Sequence, residues 1–329
     1  ILLSGYTYSC QNREIGNLLL HGEKDEDIEF KLEGKSARYF TLTDRNRLLV
    51  KDNYCNNRHL WHDLVISAKT RAGTTRDTVR VIKDTFLRNK VVAHRGAWKH
   101  TGETENSIGA LREAIRIGCA FSELDVNLSA DGILFVNHDA TIQNVKIDTE
   151  QSTLLSTLKL SNGEYLPTLE SYVREVMNQS KTKLLIEVKP FGVSKSRAQE
   201  AAEETVRLIH KLHAQAWVEY ISFSQDILAK IRELDPFANV HYLNGDINPN
   251  QAKNLEYTGI DYYYSVFFKN PEWISNAKEL QLHTNIWVVN KEEDMKFFLK
   301  KGLDWITTDE PKLLFRVIED LVNIESIYK

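Results

Sequence analysis

The sequence predicts an α/β fold of the (β/α)8 TIM-barrel class, preceded by a small all-β, sandwich-like domain. Three observations lead to it. From Lys90 onward, short apolar runs rich in β-branched residues alternate with helical patterns, as they do where parallel strands are joined by crossover helices. Eight such runs can be counted, the number a closed barrel takes. Upstream of Asp84 the apolar residues recur with period two between turn signals, and no convincing helix appears.

The upstream region, from about Asp27 to Asp84, reads as hairpins. Arg38–Thr43 and Arg47–Lys51 flank the polar turn Asp44-Arg45-Asn46, and Asp63–Lys69 and Asp77–Ile82 flank a turn holding Ala72-Gly73. In composition this resembles the cadherin-like or immunoglobulin-like modules appended to secreted enzymes. Two domains are expected, residues 1–86 and 87–329, with the change near Asp84–Asn89 and no Gly/Pro/Ser-rich linker.

Downstream, strands are expected at Val91–His94, Phe121–Val126, Leu184–Val188, Val218–Phe223, Val240–Leu243, Ile260–Tyr264, Thr284–Val289 and Trp305–Thr307. Helices are expected at Ser107–Ile117, Ser196–His213, Gln225–Leu234, Pro271–Leu280 and Glu292–Lys300. A doubly wound open sheet has the same alternation, but no Gly-x-Gly-x-x-Gly follows the first strand.

Composition narrows the function classes. The chain has 329 residues, 42% hydrophobic and 27% charged, with a net charge of −4. A barrel of about 250 residues leaves room for one extra domain. There is no basic stripe or aromatic–basic repeat of the kind that binds nucleic acid, and no run long and apolar enough to span a bilayer. The opening ILLSGYTYSC reads either as an ordinary edge strand or as the tail of an export signal, with Ser9-Cys10 loosely matching a lipoprotein cleavage site. On the second reading the protein is extracytoplasmic (periplasmic, secreted or a lipoprotein), with a lipid anchor at Cys10. Cys10 and Cys55 could instead pair in an oxidising compartment. Cys119 closes an apolar helix and is expected to be buried and inert.

Chemistry in a barrel sits at the C-terminal ends of the strands. The first strand ends in His94-Arg95-Gly96, followed by Glu105-Asn106. The second carries Glu123-Leu124-Asp125, the third Glu187-Val188-Lys189, and the last ends in Thr307-Thr308-Asp309. Residues two apart on a strand share a face, so Glu123, Asp125 and Glu187 converge if that face is the barrel interior. Three such carboxylates call for a cation, and their hard oxygens suit Mg²⁺ or Ca²⁺. One pair of this kind could be a structural salt bridge, with Lys189 as the counter-charge. Two pairs beside His94-Arg95 point to a site. Asp131-Gly132 marks a hairpin turn whose return strand brings His138 opposite Leu124, near the same carboxylates. A cation, Arg95 and Lys189 can stabilise a phosphoryl group, and two imidazoles can move protons near neutral pH. Phe223, Tyr242 and Trp287 lie near strand ends, where they either line the pocket or pack in the core.

The segments VVAHRGAWKHTGETENS and ELDVNLSADGILFVNHD resemble the glycerophosphodiester phosphodiesterase signature: His-Arg-Gly, Glu-Asn-Ser/Thr, Glu-x-Asp-Val, Asp-Gly and His-Asp in order. The resemblance continues through Ile186–Pro190, Ile221–Pro236 and Asn285–Pro311. It implies a barrel, one divalent cation, Mg²⁺ or Ca²⁺, and hydrolysis of a small glycerophosphodiester to sn-glycerol 3-phosphate and an alcohol. In that family the glycerol 2-hydroxyl is thought to attack phosphorus, and water then opens a cyclic intermediate. Carried onto this chain, it implies Glu123, Asp125 and Glu187 as metal ligands with Glu105 within reach, and His94 and His138 as the acid–base pair. It implies Arg95 and Lys189 on the phosphate, Asn106 orienting Glu105 or a substrate oxygen, and Trp287 in the pocket. Ser129 replaces the usual Thr, and the stretch between Asp139 and Leu169 is short, which implies an open site. Two other readings compete. A sphingomyelinase D-like or phospholipase-like enzyme would share the histidines, but it needs an exposed apolar rim, and no apolar loop stands out. A non-catalytic binding module should lack one of His94, Glu123, Asp125, His138 or Glu187, and all five are present.

Overall fold

A computed structural model describes residues 1–23, 28–55, 58–190 and 194–327. The start of the β region expected at Asp27 lies outside them. By contacts the chain divides into two compact units. One is Ile1–Thr85 with Ile209–Trp217 and Asp235–Phe237; the other is Phe86–Leu208, Val218–Leu234 and Ala238–Lys329.

The N-terminal region is all-β, with two four-stranded sheets. One contains Leu2–Leu3, Glu14–Leu19, Arg47–Val50 and Phe40–Leu42; the other contains Thr7–Tyr8, Gly73–Lys83, Trp61–Thr70 and Glu29–Glu33. Its longest hairpin pairs Trp61 with Ile82 through to Thr70 with Gly73, around the turn expected at Ala72-Gly73. Alternate residues of this hairpin, Leu64, Ile66, Val79 and Val81, are buried, and Tyr8 of one sheet meets Phe40 of the other edge to face. That is how two sheets with period-two patterning close a core. Short 3-10 turns at Lys35–Tyr39 and Asp52–Tyr54 are the helical content here among the described residues. Cys10 and Cys55 form a disulfide. That bond uses the sulfur that a lipid anchor at Cys10 needs, so the two readings of Cys10 exclude each other.

The second unit is a closed barrel of eight parallel strands: β1 Val91–Ala93, β2 Phe121–Leu128, β3 Lys183–Val188, β4 Val218–Ser222, β5 Val240–Tyr242, β6 Gly259–Tyr263, β7 His283–Trp287 and β8 Trp305–Thr308. β8 pairs with β1 and β1 with β2, which closes the ring. Each strand lies within two residues of its expected bounds. The expected helices are present, and others at Leu169–Val176, Pro249–Asn254, Tyr264–Lys269 and Pro311–Ile327 were not foreseen. Register fixes what faces inward. Pairing of Asp125 with Glu187, Glu187 with Ile221, and Ile221 with His241 puts all four on one face. The same face carries an apolar cluster of Val92, Phe121, Leu185, Ile221 and Leu243, against which Phe223, Trp287 and Trp305 pack. The charged residues of β2 and β3 therefore stand inside the barrel, above a packed floor. No helix among the described residues is long and apolar enough to cross a membrane.

Candidate active site

Glu123, Asp125 and Glu187 each present a carboxylate oxygen within 4.8 Å of the others, and all three side chains are buried. Burial pushes Glu123 well above the ordinary carboxylate range, with Asp125 and then Glu187 adding to the effect. Burial, followed by Asp125, lifts Glu187 to about 8. Burial also works against Asp125, but Lys189 and then His138 hold it at about 2. One ionised carboxylate between two reluctant ones is what like charges in a dry site produce. A buried set of hard oxygen donors this close together fits a divalent cation of the Mg²⁺ or Ca²⁺ kind.

Glu105 is not in this set. Its Oε2 accepts from Arg95 Nη1 at 2.9 Å, so it faces the guanidinium. Asn106 is not oriented toward Glu105 either. Its Nδ2 donates to Asp125 Oδ2 at 2.9 Å, and its Oδ1 accepts from the Asp125 backbone N–H at 3.3 Å. The sequence order Glu105-Asn106 thus splits between two partners. Lys189 bridges two of the carboxylates, with Nζ 2.8 Å from both Asp125 Oδ1 and Glu187 Oε1. An ammonium has three donors, so this pairing does not exhaust it.

Backbone geometry locks the first loop. Arg95 and Asn106 both adopt left-handed conformations, with φ of 54° and 61°. The Arg95 N–H donates to Glu123 Oε2 at 2.8 Å, and the Asn106 N–H to the Arg95 carbonyl at 2.8 Å. Gly96, at φ 82°, lies so close to the following helix that a Cβ would come 2.6 Å from that of Ala110. His-Arg-Gly is therefore a geometric requirement as well as a chemical one.

The hairpin delivers the second imidazole as expected. Val126 pairs with Val136 and Leu128 with Leu134, and the same register carried on puts His138 opposite Leu124. The Asn137 N–H donates to the Asp125 carbonyl at 3.0 Å, which holds the returning strand beside the carboxylates. Each histidine has its own carboxylate. His94 Nδ1 lies 2.7 Å from Asp309 Oδ1, and His138 Nδ1 lies 2.8 Å from Asp139 Oδ1. Asn290 Nδ2 donates to the other Asp309 oxygen at 2.7 Å. Burial lowers His138 below the usual imidazole value, against the pull of Asp125. The sequence contains Asp309 at a strand end, but its service to His94 shows only once β8 lies beside β1.

A cavity of about 270 Å³ is lined by His94, Arg95, Glu123, His138, Glu187, Lys189, Phe223 and Trp287, among others. Phe223 and Trp287 are thus in the pocket, and their rings meet edge to face at 5.6 Å. Tyr242 is not: its neighbours His241 and Leu243 point inward, and it packs outside the barrel against Tyr257 and Tyr262. Asp261 also lines the cavity and was missed, because Asp-Tyr-Tyr-Tyr reads as a plain strand. No apolar loop stands out in the sequence, but the same aromatic run places exposed rings beside the cavity wall. Tyr263 and Phe268 are exposed, and Tyr263 lies 5.1 Å from the Trp287 ring.

Residues 94–313 match the glycerophosphoryl diester phosphodiesterase family. The chain belongs to that family. A glycerophosphodiester phosphodiesterase of Caldanaerobacter subterraneus subsp. tengcongensis is 29% identical over 248 residues, which cover 70% of this chain and 98% of the relative. The crystal structure of a glycerophosphodiester phosphodiesterase from Parabacteroides distasonis superposes with a TM-score of 0.70 at 36% identity, covering 72% of this chain and 99% of that one. A phosphodiesterase of Oleispira antarctica, solved with the product sn-glycerol 3-phosphate, superposes with a TM-score of 0.59 at 20% identity, covering 70% and 97%; at that identity it shows the shared fold. The barrel is accordingly that of a phosphoric diester hydrolase, and the N-terminal β region lies outside the family match.

Proposed function

We propose that the protein hydrolyses glycerophosphodiesters to sn-glycerol 3-phosphate and an alcohol, with Glu123, Asp125 and Glu187 holding one divalent cation and His94 and His138 exchanging protons. The observation that carries this is the convergence on one cavity of two imidazoles with Glu123 and Glu187 from separate strands, the buried Asp125 presenting an oxygen within 4.8 Å of both carboxylates. When bound, the cation supplies Lewis-acid stabilisation of the charge that develops on the phosphoryl oxygens. Arg95 and Lys189, both on the cavity wall, add positive charge to the same oxygens.

The two histidines have different surroundings. A carboxylate on Nδ1 fixes the tautomer and leaves Nε2 for the reacting oxygens. His138 is kept neutral by burial, and that suits the base that takes the nucleophile's proton. His94 stands against Asp309; burial works against that carboxylate, but His94, Asn290 and Lys99 together hold it below the ordinary aspartate value. That pairing suits the acid that protonates the leaving alkoxide. The Cys10–Cys55 disulfide supports placement in an oxidising, extracytoplasmic compartment.

The test is release of sn-glycerol 3-phosphate from glycerophosphocholine. Turnover should disappear with EDTA and return with Mg²⁺ or Ca²⁺. Full activity in chelator would remove the cation from the proposal, and failure to cleave any glycerophosphodiester would remove the substrate class.

A further inference from the structure

Nine large apolar side chains stand exposed among the described residues, and three of them, Tyr263, Phe268 and Phe297, belong to one continuous chain of rings. It begins at Trp287 in the cavity wall. Trp287 meets Tyr263 at 5.1 Å between ring centroids, Tyr263 meets Tyr264 at 4.3 Å, Tyr264 meets Phe268 at 6.1 Å, and Phe268 meets Phe297 at 5.2 Å. Tyr263 pairs directly with Trp287 at the ends of β6 and β7, so the chain starts at the catalytic mouth. From there it crosses the helix Tyr264–Lys269 to reach Phe297 on the helix Glu292–Lys301. Scattered exposed apolar residues need no explanation, but a contiguous patch joined to a binding cavity does.

We propose that this aromatic ridge seats the hydrocarbon chain of a single-chain glycerophospholipid whose phosphodiester lies in the cavity. The inference rests on the phosphodiesterase reading and names a substrate class for it. Continuity with the cavity selects the occupant: a phosphate held between the histidines places whatever projects past Trp287 onto Tyr263 and then onto the exposed rings. A small polar substrate would end inside the cavity and leave the ridge in water. Tyr263 and Tyr264 are amphipathic and suit the first stretch, where polar headgroup gives way to hydrocarbon. Phe268 and Phe297, with no polar atoms on their rings, suit the chain itself.

The experiment compares glycerophosphocholine with lysophosphatidylcholines carrying 8- and 16-carbon chains, using the full chain with Mg²⁺ or Ca²⁺. KM should fall at least tenfold from no chain to the longest chain; this needs no variant. Phe297→Ser should raise KM for the 16-carbon substrate about tenfold, the worth of burying part of one aromatic ring, and leave kinetics on glycerophosphocholine within twofold. Phe268→Ser is the second variant, read with its melting temperature because its ring also packs on Phe298. If the long-chain diesters resist cleavage while glycerophosphocholine is cleaved, the ridge proposal fails and the phosphodiesterase reading stands. If no diester is cleaved, both fail. An equal loss on both substrates in Phe297→Ser would make the ring structural. A dimer that Phe297→Ser converts to monomer, with KM unchanged, would make the ridge a contact between copies. Either result overturns the proposal.

Discussion

Arg95 and Asn106 carry the local strain of the site. A left-handed conformation costs a non-glycine residue about 1–2 kcal/mol, and here each strained residue holds a neighbour's carboxylate in place, Glu123 and Asp125. Groups that orient metal ligands typically account for about 10–100-fold in metal affinity. Asn106→Ala should therefore weaken cation binding by roughly that factor, measured by calorimetry, with much of the turnover restored at saturating cation. The histidines should behave otherwise. His94→Ala and His138→Ala should each lower kcat by about 10²–10⁴-fold with the circular dichroism spectrum unchanged. Near-normal turnover in either variant would take that residue out of the chemistry. The pH profile follows from His138. In the proposed mechanism it is the neutral base, so activity should fall as pH drops through its pKa, and burial lowers that pKa. The acid limb of kcat/KM should thus lie below about 6.5, the ordinary histidine value. A limb above it would contradict a desolvated base.

At the level of elements, the barrel strands were legible because fully buried parallel strands are short apolar runs between turn signals. The polar residues that break those runs, Glu-Leu-Asp and Glu-Val-Lys, announced the site for the same reason: a charge inside a core strand needs a function or a partner. The Asp131-Gly132 turn, with Gly132 at φ 85°, set the hairpin register and so the placement of His138. What stayed hidden depends on pairings distant in sequence. Nothing near Asp309 names His94, and nothing near Asn106 names Asp125. The aromatic run at Asp261–Phe268 hides the break between β6 and the next helix, because ring after ring fits either period. The N-terminal sheets gave clear hairpins, and their disulfide joins residues 45 apart. A cross-link closing a loop of that length contributes about 4 kcal/mol in the chain-entropy account. Replacing both Cys10 and Cys55 by Ser should lower the stability of that unit by an amount of this order, read as a lower midpoint in urea. An unchanged midpoint would mean that the loop is already held by its strands.

For the whole molecule, the barrel keeps ionisable groups in its interior well past the catalytic mouth. Glu219 pairs with His241 at 2.9 Å, while Asp261 accepts from Asn285 at 3.0 Å through Oδ2 and its buried Oδ1 has no hydrogen bond among the described residues. Burial raises Asp261 to about 7, against the opposing pull of His241 and the Asn285 amide. The sign of the effect on folding follows. The unfolded chain releases this proton near the ordinary aspartate value of about 3.9 and the folded chain near 7, so between those values the folded state binds more protons. Stability from this group is present in full below about pH 4 and is lost as pH rises toward 7. A shift of about three units corresponds to roughly 4 kcal/mol of destabilisation above neutrality. Asp261→Asn keeps an acceptor for Asn285 and removes the buried charge. It should raise the melting temperature at pH 8 by several degrees, and the gain should shrink toward nothing near pH 4. An increment that is the same at both pH values would mean that the carboxyl ionises as freely in the fold as in water, and that the barrel floor is wet.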